Sequence, residues 1–167
     1  SVTRNLTAHL ENLILIDAAA SGAGNALDNV IAGNAVANTL FGLDGADTLD
    51  GGFGADTLQG GAGADAYVFS SALGAGNIDT IVNFNVADDT IELDTAVFAG
   101  LAAGALDAGA FHIGAAATDA AHRIVYDSAT GALWFDADGN GAGAAIQFAA
   151  LAAGLGLTSD DFIIGGP

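Results

Sequence analysis

The chain has 167 residues, 52% of them hydrophobic, which is enough for one domain or two small adjoining modules and excludes a wholly disordered polypeptide. Twenty acidic residues face only two basic ones, Arg4 and Arg123, and a net charge of −18 makes nucleic acid and anionic membrane surfaces poor partners. Cysteine is absent, so disulfides and thiolate metal sites are excluded, and the uncharged stretch 139–158 is too broken by Gly, Asn140 and Gln147 to insert in a membrane.

Eighteen of the acids are Asp, and 25 Gly accompany them, a mixture of turn formers and ligands for hard cations. The chain opens at Ser1 with no Met and no basic-then-apolar leader, and it reads as a piece of a longer protein. The first predicted element is a strand over Leu13 to Ile16. From residue 24 to 68, five nonapeptides follow without a gap: GNALDNVIA, GNAVANTLF, GLDGADTLD, GGFGADTLQ and GGAGADAYV. Position one is Gly24, Gly33, Gly42, Gly51 and Gly60. Position six is Asn29, Asn38, Asp47, Asp56 and Asp65, and position eight is Ile31, Leu40, Leu49, Leu58 and Tyr67.

Six residues rich in Gly make a tight turn, and three centred on an apolar residue make a short strand. Two repeats then form one coil of a parallel β-roll, with the apolar positions of two sheets meeting across a thin core. Residues 18 apart stack: Leu13, Ile31, Leu49 and Tyr67 on one sheet, and Gly22, Leu40 and Leu58 on the other. At about 4.8 Å between strands, the position-six side chains of successive coils face each other, Asn29 with Asp47, Asp47 with Asp65, and Asn38 with Asp56. Bare carboxylates at that spacing oppose folding. A Ca2+ ion between two turns, held by carboxylates and turn carbonyls, reverses the interaction.

The run GADTLDGGFGADTLQGGAGADAYVF resembles the RTX (repeats-in-toxin, haemolysin-type) calcium-binding nonapeptide G-G-x-G-x-D-x-U-x. The resemblance implies that the carbonyls of positions two and four and the carboxylate of position six hold calcium. These are Leu43, Gly45 and Asp47, then Gly52, Gly54 and Asp56, then Gly61, Gly63 and Asp65. The first two repeats depart from it, with Asn25 and Asn34 at position two, Leu27 and Val36 at position four, and Asn29 and Asn38 at position six. DTIVNFNVADDTIEL, residues 79–93, resembles the segment after the last repeat in secreted RTX proteins such as serralysin-type proteases. Asp79 is then the residue that closes the last calcium site, with Asn77 and Asp89 behind it.

Further implications are an uncleaved C-terminal signal for type I secretion, the type I apparatus as a transient partner, and a secreted or cell-surface location in a Gram-negative bacterium. The expected organisation is an all-β chain, with a calcium-binding β-roll over 1–94 and a β-rich C-terminal region carrying the signal over 95–167. A structural or adhesive surface-layer module bridged by calcium is the alternative function.

Val97 to Leu106 has a helical spacing of apolar residues weakened by Gly100 and Gly104. From Arg123 an antiparallel meander is predicted: RIVYD, the turn Ser128 to Gly131, ALWFD, and AIQFA, with Trp134, Phe135, Ile146 and Phe148 in or beside a small core. The loop Asp136 to Gly141 imitates the start of an EF-hand, but Gln147 stands where the bidentate Glu is needed, so it reads as a polar turn. His9, His112 and His122 share no ligand spacing. No H-E-x-x-H, G-x-S-x-G or Cys nucleophile occurs, and the chain is expected to be a binding module rather than an enzyme. The tail Gly165, Gly166, Pro167 after the apolar end Phe162 to Ile164 is a departure from the resemblance.

Overall fold

The computed structural model describes residues 2–166 and contains strands and two short 3-10 turns, with no α-helix among them. Ser1 and Pro167, at the two ends singled out above, lie outside the described residues. No helix of the described residues is long and apolar enough to cross a membrane.

Each nonapeptide forms a turn and a strand, because its Gly-rich half cannot hold a pleat and its apolar half can. The strands alternate between two sheets. One carries β1 (Val2–Asn5), β3 (Ala19–Ala23), β5 (Thr39–Asp44), β7 (Thr57–Ala62) and β9 (Asp79–Ile81); the other carries β2 (Asn12–Ile14), β4 (Val30–Asn34), β6 (Thr48–Gly52), β8 (Ala66–Phe69) and β10 (Thr90–Asp94). All pairings among these ten strands are parallel. Leu13 pairs with Ile31, Ile31 with Leu49, and Leu49 with Tyr67. On the opposite sheet Gly22 pairs with Leu40, and Leu40 with Leu58. This is the 18-residue register of the sequence, and the fold is a parallel β-roll.

Period-two alternation places position eight inward in every coil. Ile31, Leu40, Leu49, Leu58 and Tyr67 are all 0% exposed. Gly22 interrupts one apolar column because a Cβ there would lie 2.9 Å from Leu13 Cδ2, reaching across from the other sheet. The opening strand forms one residue earlier than expected, and β1 and β3 complete a first coil that has no nonapeptide pattern.

Beyond β10 both sheets continue. The meander strands β13 (Ile124–Asp127), β14 (Ala132–Phe135) and β15 (Ile146–Ala150) pair antiparallel, as expected, and β15 then docks parallel to β9. Strand β12 (Phe111–Ile113) adds to the far edge, parallel to β13. On the other sheet β16 (Phe162–Gly165) pairs parallel with β10, and β11 (Gly104–Ala105) covers β16. The residue 94/95 boundary thus falls at the end of β10, inside two sheets that both run past it.

The helical spacing over 97–106 gives a single turn instead of a helix. The N–H of Phe98 donates to the carbonyl of Asp94 at 2.8 Å, and the turn ends at Gly100 with φ +92°. Phe98 is buried there, edge-on to Phe135 and Phe148 with ring centroids 5.2 and 5.1 Å apart. Phe148 also meets Phe69 of β8 edge-on at 5.1 Å, so the meander and the roll share one core. Of the four meander side chains assigned to a core, Phe135 and Phe148 are buried, Trp134 is half-buried and Ile146 is exposed.

Leu49→Ala is expected to cost about 2–5 kcal/mol, the range for emptying a close-packed leucine site, and Ile14→Ala, 69% exposed, less than about 0.5 kcal/mol. Urea unfolding at constant Ca2+ concentration checks both; similar losses would place Leu49 outside the core.

Candidate metal centre

The roll has two columns of turns. In the first, residues 24–29, 42–47, 60–65 and 84–89 carry the chain from one sheet to the other. In the second, residues 33–38, 51–56 and 74–79 carry it back. Within the Gly-rich turns, positions two and four adopt left-handed backbone: Leu43 and Gly45 (φ +91° and +116°), Gly52 and Gly54 (+81° and +128°), Gly61 and Gly63 (+123° and +136°). These residues also ride directly on the peptides of the coil below. A Cβ on Gly61 would strike the Leu43 carbonyl oxygen, and one on Gly63 that of Gly45. Leu43 is therefore the costly member, a side chain held where L-residues lose about 1–2 kcal/mol.

Position six places five acidic side chains inside these columns. Asp47, Asp56 and Asp65 are each 1% exposed, Asp79 3% and Asp89 6%. Every one turns Oδ1 toward the coil below and accepts its position-six N–H. Asn29 donates to Asp47 (2.8 Å), Asp47 to Asp65 (3.0 Å) and Asp65 to Asp89 (3.1 Å) in the first column; Asn38 donates to Asp56 (2.7 Å) and Asp56 to Asp79 (3.0 Å) in the second. The Oδ2 atoms of Asp47, Asp56 and Asp65 are buried with no hydrogen-bond partner. Each lies against the α-carbon of its own position-one glycine, Gly42, Gly51 or Gly60, where a Cβ would fill the space. Near Asp47 Oδ2 the Gly60 carbonyl oxygen of the next coil enters the same space.

Uncompensated carboxylate oxygens are costly in a protein interior. Burial pushes the Asp47 carboxyl up to about 6, against the Asn29 N–H that favours its ionised form, with the Asp65 charge adding to the rise. Asp56 reaches about 6 and Asp79 about 7, both mainly through burial. Asp65 and Asp89 are raised for the same reason. Inward carbonyls, paired carboxylates and a glycine-lined gap form an all-oxygen donor set that fits Ca2+. Among the described residues no three His, Cys, Asp or Glu side chains converge, so a cation here depends on backbone carbonyls to complete its shell.

The geometry separates the sequence candidates. Asp79 is buried in the second column above Asp56, and Asn77 Oδ1 accepts the Gly54 N–H at 2.6 Å in the same column. Asp89 is not behind Asp79: it continues the first column above Asp65. Insertions lengthen the spacing from 18 residues to 23 for Asp56 to Asp79 and 24 for Asp65 to Asp89. The strict nonapeptide search therefore misses these last two turns. The triplet Asp-Thr-apolar would have found them, since it recurs at Asp47, Asp56, Asp79 and Asp89. Tyr67, at position eight of the fifth repeat, completes the apolar column as expected and also serves the turn. Its Oη accepts the Gly60 N–H at 3.0 Å and ties the core to the turn.

Asn29 and Asn38 occupy position six, but their turns differ from the others. Asn25, Leu27, Asn34 and Val36 are not in left-handed backbone, and each position-six Oδ1 accepts from its own turn, from Asn25 N–H (2.7 Å) and Asn34 N–H (2.8 Å). In the 136–141 loop, Asp136 is buried and Asp138 accepts the Gly143 N–H at 2.9 Å, so the loop closes on its own backbone. His112 and His122 stack at 4.3 Å, a pairing that their sequence spacing does not disclose, while Thr118 N–H donates to His122 Nδ1.

Residues 23–58 and 32–67, which run through the five nonapeptides, match the family described as RTX calcium-binding nonapeptide repeat (4 copies). Among solved structures the chain is similar to the AlgE6R3 subunit of the Azotobacter vinelandii mannuronan C5-epimerase. The TM-score is 0.55 at 24% identity, over 98% of this chain and 79% of that one. The AlgE6R2 subunit of the same epimerase aligns with a TM-score of 0.48 at 21% identity, over 89% and 93% of the two chains. No curated protein sequence matches.

The raised carboxyls fix the sign of the pH response. A carboxyl that binds its proton more tightly folded than unfolded stabilises the fold at low pH, and that stability is lost as pH rises through the folded value. Chelated protein is therefore expected to lose thermal stability from about pH 4, where the unfolded carboxyls titrate, to about pH 7, through the values near 6 and 7 of Asp47, Asp56 and Asp79. Apparent Ca2+ affinity should rise over the same window as protons leave. Calorimetry with chelator and with calcium reads both, and a chelated protein that gains stability with rising pH would contradict the buried rows. Leu43→Gly should stabilise the calcium-loaded protein by on the order of 1 kcal/mol, measured by urea unfolding; a loss would mean that the Leu43 side chain is needed there.

Proposed function

We propose that this chain is a calcium-switched folding module of an exported protein, in which cations between successive turns hold the roll closed. The observation that carries the proposal is the trio of buried, unpartnered Oδ2 atoms on Asp47, Asp56 and Asp65. A row of buried anions favours the unfolded chain unless something neutralises it. Calcium at extracellular concentration can do so, and the cytosolic concentration is far too low. Sites made of carbonyls with one or two carboxylates belong to the weak class, with dissociation constants of about 10⁻⁴ to 10⁻³ M. The residues assigned to the ions are Leu43, Gly45 and Asp47, Gly52, Gly54 and Asp56, and Gly61, Gly63 and Asp65, with Asp79 and Asp89 closing the two columns.

Export follows from the same switch. Without calcium the repeats are Gly-rich, self-repelling chain that a type I channel can thread, and the C-terminal strand β16 has no closed roll to pair with. Outside the cell the roll closes and β16 docks on β10. The parallel pairing of these two strands supports coupling between the calcium rows and the C-terminal segment. The role assigned is binding and folding, with no catalytic step, and the location is extracellular or at the cell surface.

Circular dichroism during a Ca2+ titration should show β-structure appearing cooperatively, reversed by chelator, with a monomer by light scattering throughout. Asp47→Ala should raise the calcium midpoint about tenfold or more, because affinity follows ligand charge, and Asn29→Ala should move it far less. Equal shifts would sink the row assignment, and calcium-driven assemblies would favour a surface-layer role. Residues 95–167 fused to an unfolded passenger should leave cells carrying a type I channel; retention would remove the signal from this segment.

A further inference from the structure

The turns 24–29 and 33–38 differ from the glycine-rich turns 42–47, 51–56 and 60–65 above them in side chains, backbone and hydrogen bonds together. Asn25 and Asn29 in one column, and Asn34 and Asn38 in the other, occupy positions two and six, where the turns 42–47, 51–56 and 60–65 have a left-handed residue and an Asp. Their side-chain amides point at the coil below. Asn25 Nδ2 donates to the carbonyls of Leu10 (2.7 Å) and Thr7 (3.0 Å), and Asn29 Nδ2 reaches Leu10 at 3.4 Å. In the other column Asn34 Nδ2 and Asn38 Nδ2 both donate to the carbonyl of Ala19, at 2.8 and 2.9 Å. Within each pair the amides are joined, Asn29 Nδ2 to Asn25 Oδ1 at 3.4 Å and Asn38 Nδ2 to Asn34 Oδ1 at 3.3 Å. Asn29 is 1% exposed and Asn38 3%, as deeply buried as the Asp residues above them.

We infer that these two asparagine pairs are neutral clamps that take the place of a cation at the lowest step of each column, so the first two coils stack without calcium and template the calcium-dependent coils above. The inference rests on the calcium reading only for the upper steps. An amide NH2 brings two donors to carbonyls that would otherwise face a metal, and it does so without charge. The turns beneath, residues 6–11 and 15–18, contain no Gly, have one left-handed residue each (His9 and Asp17) where the calcium turns have two, and carry their only carboxylates, Glu11 and Asp17, exposed to solvent, so neither presents a buried carboxylate to a cation. A carboxylate at Asn29 or Asn38 would meet the Leu10 or Ala19 carbonyl with like partial charge. Two separate columns show the same substitution with the same hydrogen-bond pattern, and that repetition distinguishes a clamp from chance loss of the consensus.

A neutral clamp also alters the switch. Parallel β-structure is slow to nucleate because its contacts are non-local. A pair of coils that holds in the absence of calcium presents β4 and β5 as a template, and each cation then adds one coil to an existing edge.

Hydrogen exchange on the full chain in chelator tests the clamp. Amides of β3 and β4 are expected to exchange at least about tenfold more slowly than those of β6 and β7, and Asn34→Ala with Asn38→Ala should abolish the difference. The number of Ca2+ ions bound, by isothermal titration calorimetry, should be the same in wild type and variant. Uniform exchange across all four strands in wild type would overturn the clamp, and so would a lower ion count in the variant, which would make the asparagines ligands. Should the double variant fail to fold with calcium, Asn25→Ala, which removes donors at the exposed rim, is compared instead. It should speed exchange in β3 and β4 in chelator and leave the ion count intact; no change in exchange would refute the clamp. If wild type binds no Ca2+ the switch proposal fails, while the exchange comparison still decides the clamp.

Discussion

Carboxylates stacked one strand spacing apart, away from water, are the constraint from which the rest of this molecule follows. Asp47 and Asp65 lie in adjacent coils because parallel pairing at an 18-residue repeat leaves them nowhere else to go, and the parallel pairing of β7 with β9 brings Asp79 to Asp56 across a longer connection. Each has one oxygen satisfied by the coil beneath. The backbone fixes the carboxylates in place, and the cost of their charge remains to be met by a proton, a cation or unfolding.

The glycines and the apolar column serve that arrangement. Left-handed residues at positions two and four let carbonyls approach the next turn closely, and position-one glycines leave the space against which Oδ2 rests. The single row of inward Ile, Leu and Tyr side chains on each sheet makes a core only two residues thick, which by itself supplies modest stability for so much ordered glycine.

The far end of the molecule solves a different problem. A parallel stack ends in open strand edges, and here the meander covers one sheet at β9 while β16 and β11 cover the other at β10. Phe69, Phe98, Phe135 and Phe148 fill the widening gap between the sheets, giving this region the thick aromatic core that the repeats lack. The asparagine pairs lie at the opposite end, so the turns with buried carboxylates stand between the asparagine amides and this aromatic core.

The five nonapeptides were enough to read the roll, its register and the Asp47/Asp65 and Asn38/Asp56 rows, because covalent periodicity converts directly into position when every coil has the same length. The three meander strands were legible from alternation alone. Periodicity failed where coil length changed. Asp79 and Asp89 take opposite columns although five extra residues lie between Asp65 and Asp79 and one more between Asp79 and Asp89, because the chain returns to register, which only the pairing of β9 and β10 decides. The short turn at Phe98, the docking of β15 on β9 and the stacking of His112 on His122 depend on contacts between segments far apart in the chain, and no local pattern encodes them. The sequence determined where charge and glycine recur, and the folded chain decided which of those oxygens lose their water and which find an amide instead.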